Sequence, residues 1–230
     1  MGKEYQMINV GAVIVARDHS TRCPGKVLAD LHGEPLLYRM VERLRVANYI
    51  TDVVVATSED SPRIIDFCKQ YDIHCTVGSV DDMLSRTTKA ADEYELDIIA
   101  RVWGDCPIID PYLVNDILNH HIGYYSDYTY NIGFPKGLNC HVIEHNVLKE
   151  LDKELQSPRD RMWFARWLMI NRKTREYSNY KHLDSISWCV DYPEDLEFAR
   201  YVYSKLYKKG EPFRWEGVMP IWLDKKGLGC

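Results

Sequence analysis

The chain has no basic excess, no paired-cysteine motif and no long apolar run, and each absence removes a class of function. Its 230 residues carry 29 Lys and Arg against 34 Asp and Glu, a net charge of −5. A general nucleic-acid binder shows a basic domain, so no nucleic-acid partner is expected and any anion site has to be local. No stretch approaches the roughly 18 apolar residues that cross a bilayer, so no membrane partner is expected either. The opening segment, Met1 to Met7, is too polar for a secretory signal. The seven cysteines, Cys23, Cys68, Cys75, Cys106, Cys140, Cys189 and Cys230, are odd in number and form no C-x-x-C pair. Most fall inside apolar elements, where a reduced cysteine behaves as a small hydrophobe, and free thiols of this kind predict a cytoplasmic protein. No internal repeat, low-complexity tract or long linker interrupts the chain. A single domain over 1–230 is expected, large enough to bury roughly three quarters of its unfolded surface.

What is present is a regular alternation of short apolar runs and amphipathic stretches. Asn9 to Ala16 reads as strand, Leu36 to Ala47 as helix, Asp52 to Thr57 as strand, Ser61 to Tyr71 as helix, His74 to Val77 as strand, Met83 to Tyr94 as helix and Asp97 to Trp103 as strand. This order predicts an α/β fold, a mostly parallel twisted sheet with helices on both faces and right-handed crossovers. After Pro111 the pattern changes. Tyr112 to His121 reads as a helix, followed by a polar and aromatic stretch with Tyr124, Tyr125, Tyr128 and Tyr130, a turn at 133–137 and a strand over Asn139 to Ile143. Helices are expected over Val147 to Leu155 and Arg161 to Asn171, and Ser185 to Val190 as a strand returning to the sheet. Residues 124–182 thus read as a small lobe inserted over the sheet edge, its aromatic surface facing a substrate, a second subunit or simply its own small core.

The strand ending at Val15 runs directly into Ala16-Arg-Asp-His-Ser-Thr-Arg-Cys-Pro-Gly-Lys26. Loops leaving the carboxyl ends of strands are where open α/β sheets bind ligands. Arg17 and Arg22 offer forked donors, Lys26 a compact ammonium, and Ser20 and Thr21 hydroxyls, a set suited to several phosphoryl oxygens at once. Asp105 follows the strand ending at Trp103, and Asp191 follows Val190. Two carboxylates on the rim of a polyphosphate cradle suit Mg²⁺, which takes one or two protein carboxylates plus phosphate oxygens and water. The plainer alternatives are a turn aspartate at 105 and a helix N-cap at 191. No nucleophilic triad is visible.

Four segments together resemble the cytidylyltransferases: Ala16 to Lys26, Gly78-Ser-Val-Asp-Asp-Met-Leu-Ser-Arg86, Gly104-Asp-Cys-Pro-Ile-Ile-Asp-Pro111 and Cys189-Val-Asp-Tyr-Pro-Glu-Asp-Leu196. The resemblance is to the spore-coat polysaccharide biosynthesis type, with 3-deoxy-manno-octulosonate cytidylyltransferases more distant. It implies a nucleotide-diphospho-sugar transferase fold and Mg²⁺-dependent transfer of CMP from CTP with release of pyrophosphate. It also implies a homodimer. Carried onto this chain, it makes Ala16 to Lys26 the triphosphate segment, with Arg17, Ser20, Arg22 and Lys26 as ligands and Lys26, Arg17 and Asp105 as catalytic groups. Asp105 and Asp191 become the metal ligands, while Asp82 and Arg86 shape the base and ribose pocket, unless they are merely a helix cap and an exposed helical arginine. The acceptor region departs from the pattern. Pro135-Lys-Gly-Leu-Asn-Cys-His-Val142 stands where the related branch reads Pro-Asp-Gly-Leu-Asp-Val-Glu-Val, and Arg159-Asp-Arg-Met-Trp163 where it reads Arg-Glu-His-Val-Thr. Lys136, Asn139, His141, Arg159 and Arg161 are therefore expected to receive an anionic acceptor, a sugar acid, phosphosugar or phosphonate. Use of another nucleoside triphosphate, or a nucleotide-binding regulatory subunit without catalysis, are the competing readings.

Overall fold

The computed structural model describes residues 8–227; Met1 to Met7 and Cys230 lie outside the described residues. β1 (Val10–Val15) is buried along its whole length, as a strand covered on both faces must be. Its residues divide between two cores. Val10, Ala12 and Ile14 join one and Val13 the other, the alternation that a period of two imposes. After the phosphate-loop segment come a small hairpin, β2 (Asp30–Leu31) and β3 (Glu34–Pro35), then α1 (Leu36–Leu44), β4 (Asp52–Ser58), α2 (Pro62–Gln70), β5 (His74–Gly78), α3 (Met83–Glu93) and β6 (Ile98–Trp103). β5, β4, β1 and β6 lie side by side and parallel, the expected βαβ half.

The second half begins with α4 (Pro111–Gly123), capped by Asp110, whose carboxylate accepts from the Tyr112 and Leu113 amides. β7 (Tyr128–Ile132), β8 (His141–Glu144), α5 (His145–Glu154), α6 (Pro158–Met162), α7 (Phe164–Asn171) and β9 (Thr174–Ser178) follow, then α8 (Pro193–Leu206) and α9 (Val218–Lys225). The sheet is completed in the order β6-β8-β7-β9, and β8 alone runs against the others. One core packs under α1, α2, α4 and α8, the other under α3, α5 and α7.

Three expectations need correction. Residues 185–190 are not a strand of the sheet. β8 occupies the place beside β6, and the 185–190 segment instead forms a single bridge, Lys136 to Ser187, with the Lys136 amide donating to Ile186 and the Trp188 amide to the Lys136 carbonyl. The tyrosine-rich stretch holds a strand, β7, where only a polar segment was expected. The helix expected over 161–171 is two pieces meeting at Trp163. Residues 124–182 contribute β7, β8 and β9 to the same seven-stranded sheet.

Candidate active site

Ala16 continues β1 by donating its amide to the Ala56 carbonyl, and Gly104 continues β6 by donating to Val15. The two strand ends approach so closely that a Cβ on Gly104 would lie 2.6 Å from the Ala16 Cβ and 3.1 Å from the Val15 carbonyl oxygen. Only glycine fits there, and its smallness sets Asp105 beside the loop that leaves β1. The first half of that loop is fastened to the end of β4. The Asp18 amide donates to the Ser61 hydroxyl at 3.0 Å, and the His19 ring contacts the Asp60 carbonyl at 2.8 Å. Ser61 is the residue preceding α2, and its side chain serves the loop rather than the helix amides. Cys23, within the loop, is buried and joins the large core, as a packing residue would.

From this loop Lys26 turns inward. Its side chain is among the few buried cations, with the residue 9% exposed, and its ammonium donates to Asp105 at 2.8 Å and to the Val190 carbonyl at 2.5 Å, with Asp191 at 3.6 Å. Arg22 reaches Asp191 from the solvent side at 2.5 Å and lies over the Tyr192 ring. Asp191 is brought here by a loop, not by a strand. Gly137, with φ +98°, lets the 135–138 turn pack against the Trp188 and Cys189 backbone, where a Cβ would meet the Trp188 carbonyl carbon at 3.0 Å. The Val190 amide then donates to the Asp105 carbonyl at 2.8 Å. Asp191 is not the helix cap. The N-cap of α8 is Tyr192, and Asp195 at the third helical position accepts from the Asp191 and Tyr192 amides, which leaves the Asp191 carboxylate free to face the cations.

Lys26, Arg22, Asp105 and Asp191 therefore converge, while Ser20 accepts from the Cys23 amide and Arg17 and Thr21 are exposed on the same loop. Asp82 caps α3 through the Ser85 amide and pairs with Arg161 at 2.6 Å. Both its oxygens are engaged. Arg86, expected on the nucleotide side, is 2% exposed rather than a surface helical residue; burial and then the charge of Arg17 lower its pKa.

The expected acceptor residues are not brought together. Arg161, expected at the acceptor, is engaged with Asp82, Asp152 and the carbonyls of Asp152 and Leu155, a strut between α3, α5 and α6. Arg159 is exposed on α6, Lys136 is exposed in the bridge to Ser187, and Asn139 accepts from the Gly137 amide within its turn. His141 does face the interior. It sits opposite Arg101 in the β6–β8 ladder, meets Trp103 edge-on at 4.8 Å and holds Tyr128 through Nδ1 at 2.8 Å. Burial, then the charge of Arg101, hold its pKa well below the usual histidine range. Sequence reasoning missed Arg101 and Trp103. The signal was a charge inside the otherwise apolar run Ile98 to Trp103.

A parallel sheet that delivers a basic loop from its first strand, with two carboxylates from later segments closing on it, defines an α/β protein of the nucleotidyltransferase type. The chain belongs to the cytidylyltransferase family, whose model matches residues 12–205. It is similar to the spore coat polysaccharide biosynthesis protein SpsF of Bacillus subtilis, 32% identical over 147 residues that span 61% of each chain. Its fold is similar to that of a cytidylyltransferase from Leptospira borgpetersenii at a TM-score of 0.87 and 25% identity, covering 96% of this chain and 97% of that one. A CMP:2-keto-3-deoxy-manno-octonic acid synthetase complexed with CTP shares the fold at a TM-score of 0.67 and 20% identity, over 86% of this chain and 99% of the other. No helix of the described residues is long and apolar enough to cross a membrane.

Proposed function

We propose that the protein transfers CMP from CTP to an anionic acceptor, releasing pyrophosphate. The observation that carries this reading is the convergence of Lys26 and Arg22 on Asp105 and Asp191, cations and carboxylates paired to one another where a metal triphosphate would separate them. The two carboxylates share one ammonium, and no group of three or more potential ligands exists among the described residues. Such a set fits Mg²⁺, which completes its shell with phosphate oxygens and water. Held by Asp105 and Asp191, the ion would supply Lewis-acid charge at the phosphates.

In this reading Arg17, Ser20, Thr21 and Arg22 bind the outer phosphates, and Lys26, turned from Asp105 and Asp191 to the phosphates, neutralises charge that grows on the leaving oxygen. An acceptor oxygen attacks the α-phosphorus in line, the bond to the bridging oxygen breaks, and pyrophosphate carries away the electron pair. Positioning and electrostatics suffice for such a step. A homodimer and a cytoplasmic location belong to the same reading; Trp163 and Ile170, 61% and 82% exposed at the ends of α7, support a face for a second copy. The test is pyrophosphate release from CTP with Mg²⁺ across sugar acids, phosphosugars and phosphonates, with UTP, GTP and ATP as controls. Release that depends on both CTP and one acceptor class is expected. Binding of CTP without release for any acceptor would favour a regulatory subunit.

A further inference from the structure

Arg101 is a charge placed where the fold offers no counter-charge. It lies in the middle of β6, between Val13 of β1 and His141 of β8, and is 6% exposed. Its guanidinium carbon lies over two rings, Trp103 at 4.8 Å and Phe164 at 4.9 Å. Such contacts with ring faces satisfy none of the guanidinium's N–H donors. Among the described residues Arg101 has no ion-pair partner, and its Nε is buried with no acceptor at all. Burial pulls its pKa down to about 10. Arg86, on α3 above the same face of the sheet, has its Nε and Nη1 buried and unpartnered too, and its charge is felt at Arg101 as that of Arg17 is at Arg86. An unpaired buried charge is costly to keep, so a fold that keeps one has a use for it.

His141 supplies a second donor. Its Nδ1 lies 2.8 Å from the Tyr128 hydroxyl, whose proton burial retains. His141 Nε2 has no partner among the described residues, and in the tautomer in which Nδ1 accepts from Tyr128 it carries the imidazole proton. The Arg101 guanidinium and the free edge of the His141 ring, beside Trp103 on the strand that leads to Asp105, form a polar set with no acceptor among the described residues.

We propose that Arg101 and His141 form the oxyanion subsite of the acceptor, holding its carboxylate, phosphate or phosphonate two residues upstream of Trp103 and four upstream of Asp105. The subsite rests on the transferase reading above. It replaces Arg161 and the exposed Lys136 and Arg159 as the origin of acceptor charge selection. A planar guanidinium fork matches a carboxylate with two parallel hydrogen bonds, and a phosphoryl group offers the same oxyanion chemistry in a bulkier shape.

The test uses the full chain saturated with cytidine 5′-(α,β-methylene)triphosphate, so that small anions do not compete for the phosphate loop. Pyruvate and methylphosphonate are titrated separately by calorimetry into the wild type and Arg101→Met. Saturable binding to the wild type, weakened by about tenfold or more in the variant while the nucleotide analogue binds within about twofold, is expected; which of the two anions binds tells carboxylate from phosphoryl. Equal anion binding by both proteins, or none by the wild type, overturns the subsite while leaving nucleotide binding intact. Failure of the wild type to bind the nucleotide analogue would instead overturn the transferase reading. Should Arg101→Met not fold, the wild type decides. The bound anion is expected to slow modification of Arg101 by p-hydroxyphenylglyoxal, followed by peptide mass spectrometry, and an unchanged rate overturns the proposal.

Discussion

Replacing Asp105 by asparagine should move nucleotide binding and turnover in opposite directions. In the ligand-free protein the carboxylate is 2.8 Å from the Lys26 ammonium, and their side chains are 29% and 11% exposed. At that distance the raw Coulomb attraction is about 6 kcal/mol for an effective dielectric of ~20. Desolvation and the remaining contacts of Lys26 with Val190 and Asp191 reduce the net value to roughly 1–2 kcal/mol. A triphosphate has to displace Asp105 from Lys26 before it can use the lysine. Without metal, Asp105→Asn removes that competition and one negative charge, so CTP measured by calorimetry in EDTA should bind about tenfold tighter, 1.4 kcal/mol per decade. With Mg²⁺, the loss of one of two ionised ligands should lower kcat by about a thousandfold or more. The near-equal volume of asparagine and the backbone bond from Val190 to the 105 carbonyl keep the fold intact. Turnover within about tenfold of wild type would refute the role of Asp105.

Lys26→Ala should lower kcat more than it raises KM for CTP, because a point charge at the phosphates stabilises the transition state more than bound substrate; a change in KM alone would make it a binding group. Arg161→Ala should destabilise the fold by about 2–4 kcal/mol, seen as a thermal midpoint lower by several degrees, since it strands Asp82 and Asp152 and frees two carbonyls. KM for the acceptor in that variant should change little, and a large selective rise would return Arg161 to the acceptor site. The pKa of His141 is depressed in the folded state, so the unfolded chain binds the extra proton. Its contribution to stability is present above the unfolded value of about 6.5 and is lost as the pH falls below it. Denaturant midpoints taken between pH 7.5 and 5 should show this decline, and His141→Gln should flatten it.

β1, β4, β5 and β6 are legible in the sequence because each is a short apolar run between helices whose apolar residues recur every three or four positions. β7 and β9 are not. Tyr-Thr-Tyr-Asn-Ile and Thr-Arg-Glu-Tyr-Ser carry too many polar groups to announce a strand, and they gain their pairing only when β8 turns back along β6. The same reversal explains the misread segment before Asp191: an apolar stretch of strand composition found its place beside β6 already filled. The position of Asp191 was nonetheless legible, because a loop can deliver a carboxylate to a rim as well as a strand can. For the acceptor the sign of charge alone does not place a side chain. Arg161 gives no hint in sequence that its partners are 79 and 9 residues away, whereas Arg101, a cation in the middle of a buried strand, carries the more informative anomaly.

The ammonium of Lys26 is held by the carbonyl of Val190, 164 residues further along, and Arg22 by Asp191 across 169. During synthesis the four parallel strands can assemble once residue 103 has emerged, and Ser61 and Asp105 can then hold the phosphate loop, but its contacts to Val190 and Asp191 wait for the last quarter of the chain. A nascent chain halted before residue 185 would hold all seven strands of the sheet and an unfinished site, with Lys26 paired to Asp105 alone and Arg22 without Asp191. Competence is thus a late event on the ribosome, and a stalled product would be structurally native over most of its length yet silent.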